Sequence, residues 1–236
     1  MKDWKAFWQN YRNIEIKSEK DLLYQVGKTV GGQVITQEQF DLDLKEIISL
    51  LELNTNDVIL DLCCGNGLFS YNLSQHVDHV IGLDFSELYI NNAKQYHSKG
   101  NIDYQVGDIL DNDLLKDILK THRVSKVLMN DCLAYFNPNS LKIILKELSH
   151  HQVVMVISSI LDKEKKWKFY NTIDRKIKYF KDVVFDNKNS GIGYWWTKKQ
   201  INSIAAHYGF DSSFYNHHEK NHTSHYRFNV KLKHEN

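Results

Sequence analysis

Several residues able to do chemistry fall at the ends of apolar runs. Asp61 closes the run Val58-Ile59-Leu60, and a turn of small residues follows it: Cys63-Cys64-Gly65-Asn66-Gly67. Glycines in such a turn let the backbone come close to a ligand where side chains would block it. A carboxylate beside the start of a helix suits a cationic amino group. Seventeen residues after Gly67, Asp84 closes Val80-Ile81-Gly82-Leu83. An acid at the tip of a second strand is the usual acceptor for adjacent ribose hydroxyls. Asp108 follows a third run, and Asn130-Asp131-Cys132 a fourth. In open parallel sheets ligands bind outside the carboxyl ends of the strands, so polar residues at four successive tips mark one site.

The elements that must position these residues alternate along the chain. Strands are predicted over 58–62, 80–84, 102–106, 126–130 and 153–158. Helices are predicted over about 67–76, 86–98, 111–121 and 138–150, with Asn137 as N-cap and Pro138 at the first helical position. The alternation implies a parallel sheet with helices on both faces. The apolar stretch Val153-Val154-Met155-Val156-Ile157 fits a strand covered on both sides. Before this core, Phe40, Leu44, Ile47, Ile48 and Leu51 recur at helical spacing over 37–52, behind a capping box of Thr36 and Gln39. After it, residues 161–196 are rich in lysine and in aromatics, among them Trp167, Phe169, Phe185, Tyr194, Trp195 and Trp196. A second capping box, Thr197 with Gln200, opens a helix to about residue 208, with Gly209 at the C′ position. Two strands follow, at about 210–216 and 225–232, joined by a His-rich loop.

These segments resemble the first four motifs of the class I S-adenosylmethionine-dependent methyltransferases, over about residues 55–160. The resemblance implies an α/β, Rossmann-like fold: a seven-stranded, mostly parallel sheet with helices on both faces and its last strand antiparallel. One methyltransferase domain over 1–236 is expected, with an N-terminal cap (1–35), a cofactor-binding core (36–160), an inserted lid after strand five (161–196) and a final helix and hairpin (197–236). The resemblance implies S-adenosyl-L-methionine as cofactor and assigns roles. The turn with Asp61, Cys63, Gly65 and Gly67 wraps the methionine part. Asp84 takes the ribose hydroxyls, with Phe85 and Ser86 beside the adenine. Asp108 takes the adenine amino group, the backbone at Ile109 reads the ring, and Asn130 and Asp131 lie between cofactor and acceptor. Cys63 departs from the family pattern by standing where the first of three alternating glycines is usual. A dinucleotide-binding Rossmann enzyme is a rival, but it wants a glycine at Ser70. A non-catalytic S-adenosylmethionine-binding module is another, arguing only from the same turn and acids.

Methyl transfer from a sulfonium is an in-line displacement, so much of its rate comes from positioning. An oxygen or nitrogen acceptor usually also needs a base. Asp131 and Tyr135 are candidates for acceptor contact. His217 and His222, in the loop 217–225, are candidates for the base, and His218 and His225 share that loop; a solvated hairpin tip is the bland alternative. The segment 24–29 is read either as a fold over the cofactor or as a surface loop.

Composition narrows the acceptor. In 236 residues, 30 Lys and Arg almost balance 29 Asp and Glu, which leaves no global field to hold a polyanion. The fourth motif also lacks the Asn-Pro-Pro-Tyr type of signature found in enzymes that methylate nucleic-acid amino groups. The expected partner is therefore a small molecule such as a sugar, sugar nucleotide, amine or natural product, with no nucleic acid or membrane, in a monomer or homodimer. The lysine run at 163–181 is read as a wet helix face. The absence of an N-terminal apolar region and the three cysteines lead to an expected cytoplasmic, reducing location without a bound metal.

Overall fold

The computed structural model describes residues 4–181 and 192–234; Phe185, one of the aromatics expected in the lid, lies outside the described residues. Seven strands form the main sheet: β1 (Val58–Leu62), β2 (His79–Asp84), β3 (Ile102–Val106), β4 (Lys126–Asn130), β5 (Val154–Leu161), β6 (Phe210–Asn216) and β7 (Arg227–His234). Their spatial order is β3-β2-β1-β4-β5-β7-β6. The pairs among β1 to β5 are parallel, whereas β7 runs antiparallel to both β5 and β6. The order reverses direction at β1 and β4, and this switch point is where such sheets open a crevice for a ligand.

Strand periodicity sorts the core into two layers. Leu60, Leu62, Ile81, Leu83, Val127 and Met129 are fully buried on one face. They meet helices α6 (Asn112–Thr121), α7 (Pro138–Leu148) and α10 (Lys198–His207) through Leu115, Ile118, Leu141, Leu145 and Ile201. Ile59, Val80, Leu128 and Val156 face the other way. They pack on α3 (Gln37–Leu51), α4 (Leu68–Leu73) and α5 (Glu87–Tyr96) through Phe40, Ile47, Leu51, Leu73 and Ile90. Burying one such side chain contributes roughly 1.5–3 kcal/mol, which is why the alternation dictates the layers.

Three local expectations need correction. Gln39 does not reach back to close a capping box: Thr36 accepts from the Gln39 N–H, but the Gln39 side chain bonds Lys220 O and the His222 N–H instead. The capping box at Thr197 and Gln200 is complete. The fifth strand runs past residue 158 to Leu161, with a register shift between Ile157 and Ile160 where Ser159 takes a φ of 60°. Within the segment after β5, Tyr170 and Trp195 are buried and Trp196 is a core residue bonded to Leu133 O. Short helices α8 (Lys166–Phe169) and α9 (Ile173–Tyr179) leave Trp167, Ile173, Ile177 and Phe180 exposed.

The chain before α3 crosses the carboxyl edge of the sheet as a strap. It comprises α1 (Trp4–Asn10), α2 (Glu19–Gln25) and a hairpin pairing Thr29–Val30 with Gln33–Val34. Asn66 Nδ2 donates to Leu22 O and Gln25 Oε1, and Tyr89 Oη donates to Tyr11 O, so buried polar groups of the core hold the strap down.

Candidate active site

A cavity of about 440 Å³ lies at the carboxyl ends of β1 to β5. Among the residues singled out from sequence, Asp61, Cys63, Gly65, Asp84, Phe85, Asp108, Asn130, Asp131, Tyr135 and His222 line it. Four others do not. Gly67 sits just below, with a φ of 77°, and a Cβ there would meet Tyr104 Oη at 2.4 Å, so only glycine fits. Ser86 is buried as the N-cap of α5, its Oγ accepting from Tyr89 N–H, rather than flanking a ligand. Ile109 is packed in the core. His217 is buried behind the wall.

The turn after β1 owes its shape to three successive left-handed positions: Cys63 at φ 63°, Gly65 at 57° and Gly67 at 77°. Cys63 thus holds the conformation the missing glycine would adopt. A Cβ on Gly65 would press on Val26 of the strap at 3.1 Å. The two acids of β1 and β2 stand in a dry environment. Burial raises Asp61 from 3.8 to about 7 against the hydrogen bond from Ser70 Oγ at 2.6 Å, and the nearby Asp84 charge adds to the rise. Burial likewise raises Asp84 to about 6, although its carboxylate accepts the Gly65 and Ser86 N–H groups at 3.0 and 2.9 Å. Asp108 accepts the Leu110 N–H and pairs with Lys5 of α1 at 3.2 Å.

The other half of the cavity is built by long-range polar contacts. Lys28, from the strap, is buried and bridges Asp43 of α3 at 3.0 Å and Asp131 at 2.5 Å. Its ammonium also lies 4.7 Å from the centre of the Phe69 ring. Burial disfavours that charge, but the two carboxylates outweigh it and push Lys28 up to about 12. Arg227 of β7 takes the second oxygen of Asp131 and donates to Ser159 O at 2.9 Å. Against its own burial, Asp131 is held well below the usual carboxylate range by Lys28 and Arg227. Held between two cations, it is placed as a clamp at the edge of the cavity. Tyr135 is pushed up by burial and stays a neutral phenol. Trp4 and Trp8 of α1 cover it at ring distances of 4.8 and 5.3 Å. His222 is kept neutral by burial, and its Nδ1 faces Gln39 Oε1 at 3.1 Å.

Sequence reasoning named Lys28 only as part of the segment 24–29 and missed Trp4, Asp43, Ser159, Tyr226 and Arg227. One signal was present: Asp43 falls between Phe40 and Ile47 on the apolar face of its helix, where a carboxylate must have a partner. The aromatics expected to wall the acceptor, Trp167, Phe169, Tyr194, Trp195 and Trp196, do not line the cavity. Tyr226 does, and Phe169 backs it at 5.1 Å.

Comparison with known proteins sharpens this picture. Residues 59–152 match a family model described as a methyltransferase domain. Over 98 residues the chain is 32% identical to the 23S rRNA (uracil(1939)-C(5))-methyltransferase RlmD of Francisella tularensis subsp. novicida, a match covering 42% of this chain. The chain spans only 20% of that relative's length. In fold it is similar to a SAM-dependent methyltransferase from Anabaena variabilis, with a TM-score of 0.67 and 19% identity over 100% of this chain and 96% of that one. It is also similar to the magnesium protoporphyrin IX methyltransferase of Synechocystis, solved with S-adenosylhomocysteine, with a TM-score of 0.60 and 14% identity over 98% and 94% of the two chains. The resemblance read in the sequence implies S-adenosylmethionine as cofactor, and the residues present fit that group. A glycine cradle leaves the backbone open and, among the described residues, no cation pairs with the two buried acids and no hydrogen-bond partner meets the buried Asn130 Oδ1 or Trp8 Nε1.

Proposed function

We propose that this chain, a class I S-adenosylmethionine-dependent methyltransferase by its matched domain and its fold, methylates an oxygen or nitrogen atom of a small-molecule acceptor. When bound, the cofactor supplies an electrophilic methyl on a sulfonium. Asp61 and the Cys63–Gly67 turn would hold its methionine part, Asp84 the ribose and Asp108 the adenine. Beyond Asn130 the cavity continues to Tyr135, Ser140, Ser159, His222 and Arg227, and this stretch is the acceptor compartment. In this reading residues 1–35 and 161–196 are covers on a core at 36–160, all parts of one domain.

The observation that carries the proposal is the roof. Trp4 and Trp8 pack against Tyr135 in tilted and edge-to-face contacts, and Lys28 is pinned between Asp43 and Asp131. A strap anchored by this ion cluster roofs one side of the cavity, an arrangement suited to a metabolite and to limiting water at the transfer. A non-catalytic binder needs no such roof beside Asn130. The RlmD relative acts on rRNA by its name, yet its match covers less than half of this chain.

The test is to incubate the protein with methyl-labelled S-adenosylmethionine and either a fractionated metabolite extract or purified ribosomal RNA. Label in a small molecule identified by mass is the expected result. Label entering RNA would overturn the small-molecule reading while keeping the enzyme class.

A further inference from the structure

Behind the acceptor compartment, three side chains from distant parts of the chain converge. Ser159 of β5 lines the cavity. Its Oγ lies 3.5 Å from His217 Nε2, and His217 Nδ1 lies 2.6 Å from Glu46 Oε2 of α3. The His217 side chain has no exposed surface, so it reaches the cavity only through Ser159.

Proton positions follow from the partners. Burial alone would raise Glu46, but hydrogen bonds from His217, the His218 N–H and Asn229 lower it, so it is a carboxylate and can only accept. Nδ1 of His217 must therefore carry a hydrogen, and in the neutral ring this leaves Nε2 with a lone pair facing the serine hydroxyl. A carboxylate that fixes the tautomer of a histidine, which in turn faces a hydroxyl, is the arrangement by which proteins draw a proton from an alcohol. Ser159 is itself held in place. Its N–H donates to Asn229 Oδ1 at 2.9 Å, its carbonyl accepts from Arg227, and its φ of 60° at the register shift is strained for a side-chain-bearing residue. Strain of this kind persists where the surroundings impose it and clusters at functional sites. The other groups near His217 are Asn221, whose Nδ2 is 3.5 Å from Nδ1 but donates to Asp43, and the clamped Asp131.

We propose that Ser159 is a catalytic residue that receives the proton of a hydroxyl acceptor and that His217, oriented by Glu46, draws the serine's own proton in turn. The proposal rests on the methyltransferase reading and narrows its acceptor to an alcohol or phenol. The acceptor oxygen forms the new O–C bond as the donor's C–S bond breaks, with that electron pair going to sulfur. The acceptor proton passes to Ser159 Oγ, the Ser159 proton to His217 Nε2, and the resulting imidazolium is balanced by Glu46 until solvent takes the proton.

Two measurements test the relay without an identified acceptor. In the unmutated protein, long-range proton–nitrogen NMR should show His217 with its hydrogen on Nδ1; a hydrogen on Nε2 would overturn the proposal, because nothing would then accept from Ser159. In a Ser159→Cys variant, iodoacetamide should alkylate position 159 at neutral pH, followed by mass spectrometry of that peptide. Adding His217→Gln should slow this alkylation at least tenfold, with Glu46→Gln intermediate. Equal rates with and without His217 would also overturn it. Calorimetry with S-adenosylmethionine separates the two readings: normal cofactor binding with a silent His217 sinks the relay alone, whereas no cofactor binding by the unmutated protein sinks the cofactor site beneath both.

Discussion

The two halves of the cavity are made in different ways. The half proposed for the cofactor is local at the tips of β1 and β2, while Asp108 at the β3 tip meets Lys5 from 103 positions away. Asp61, the 63–67 turn and Asp84 lie on adjacent paired strands, and their contacts are mostly with backbone a few residues away or one strand over. The acceptor half is assembled from afar. Lys28 meets Asp131 across 103 positions, Arg227 meets Asp131 across 96, and His217 meets Glu46 across 171. A half built from one turn keeps its form by backbone geometry, whereas a half built from remote charges keeps its form only while every charge is matched. That contrast ranks the changes that would break it.

The largest effect is expected at the clamp. Asp131→Ala leaves Lys28 and Arg227 facing each other without their shared carboxylate. Removing one partner of a buried ion cluster costs about 3–5 kcal/mol. Urea unfolding followed by tryptophan fluorescence at pH 7 should show a loss of that size. Asp108→Ala, which breaks the partly exposed pair with Lys5, should cost less than about 1 kcal/mol. Equal losses at the two positions would erase the proposed difference between the halves.

Next comes the cofactor itself. Asp84→Ala should remove hydrogen bonds to the ribose, each made to a charged group and worth about 1.5–3 kcal/mol. Calorimetry should report at least a tenfold weaker affinity for S-adenosylmethionine, and unchanged binding would displace Asp84 from the site. Lys28→Met, on the acceptor side, should lower stability with a far smaller effect on cofactor affinity.

This division also explains what the sequence let one read. The strands, most helices and the acids at the β1, β2 and β4 tips are written in short-range patterns: apolar runs, caps, and a glycine turn at fixed spacing. Ser86 shows one limit: a serine after a strand tip is as good a helix N-cap as a ligand contact, and its hydroxyl caps α5. The clamp on Asp131 was not legible because its two cations lie about a hundred positions away on either side in the chain. Ser159 carried no signal within an apolar strand; the register shift that turns it toward the cavity depends on Asn229 of β7. The histidine loop was legible as a site feature but not in detail. His222 reaches the cavity, and His217 lies one layer behind it.

A smaller effect should appear in pH dependence. Asp61 and Asp84 rise from 3.8 to about 7 and about 6 in the folded protein, because burial disfavours their charge. A carboxyl whose folded pKa is raised holds its proton more tightly when folded. Its contribution to stability is therefore present at low pH and is lost as pH climbs from about 4 toward 7. The clamped Asp131 works in the opposite sense, contributing stability above the ordinary carboxylate range that is lost on acidification. Binding a cationic methionine tail would pull the proton off Asp61, and ribose hydroxyls donating to Asp84 would favour its charged form as well. Affinity for S-adenosylmethionine should thus increase between about pH 5 and 7 and level off above 8, with proton release near pH 6.5. Calorimetry in buffers of different ionisation enthalpy measures this directly, and a flat profile would mean that these acids do not meet the cofactor.

The smallest change is expected at Cys63, where the chain departs from the glycine of related turns. A side chain in the left-handed region costs roughly 1–2 kcal/mol relative to glycine, and Cys63 sits there with a φ of 63°. Cys63→Gly removes that strain but gives up a partly buried side chain packed on the core and adds freedom to the unfolded chain. These opposing effects nearly cancel, so the stability change should stay within about 1 kcal/mol, and cofactor affinity should be preserved because the backbone already has the shape glycine would give it. A bulky replacement separates backbone from side chain. Cys63→Val adds a β-branched side chain, which tolerates a positive φ poorly, and should weaken both stability and S-adenosylmethionine binding. If Cys63→Gly instead abolishes binding, the sulfur side chain itself contacts the cofactor, and the turn is more than a glycine cradle with one residue exchanged.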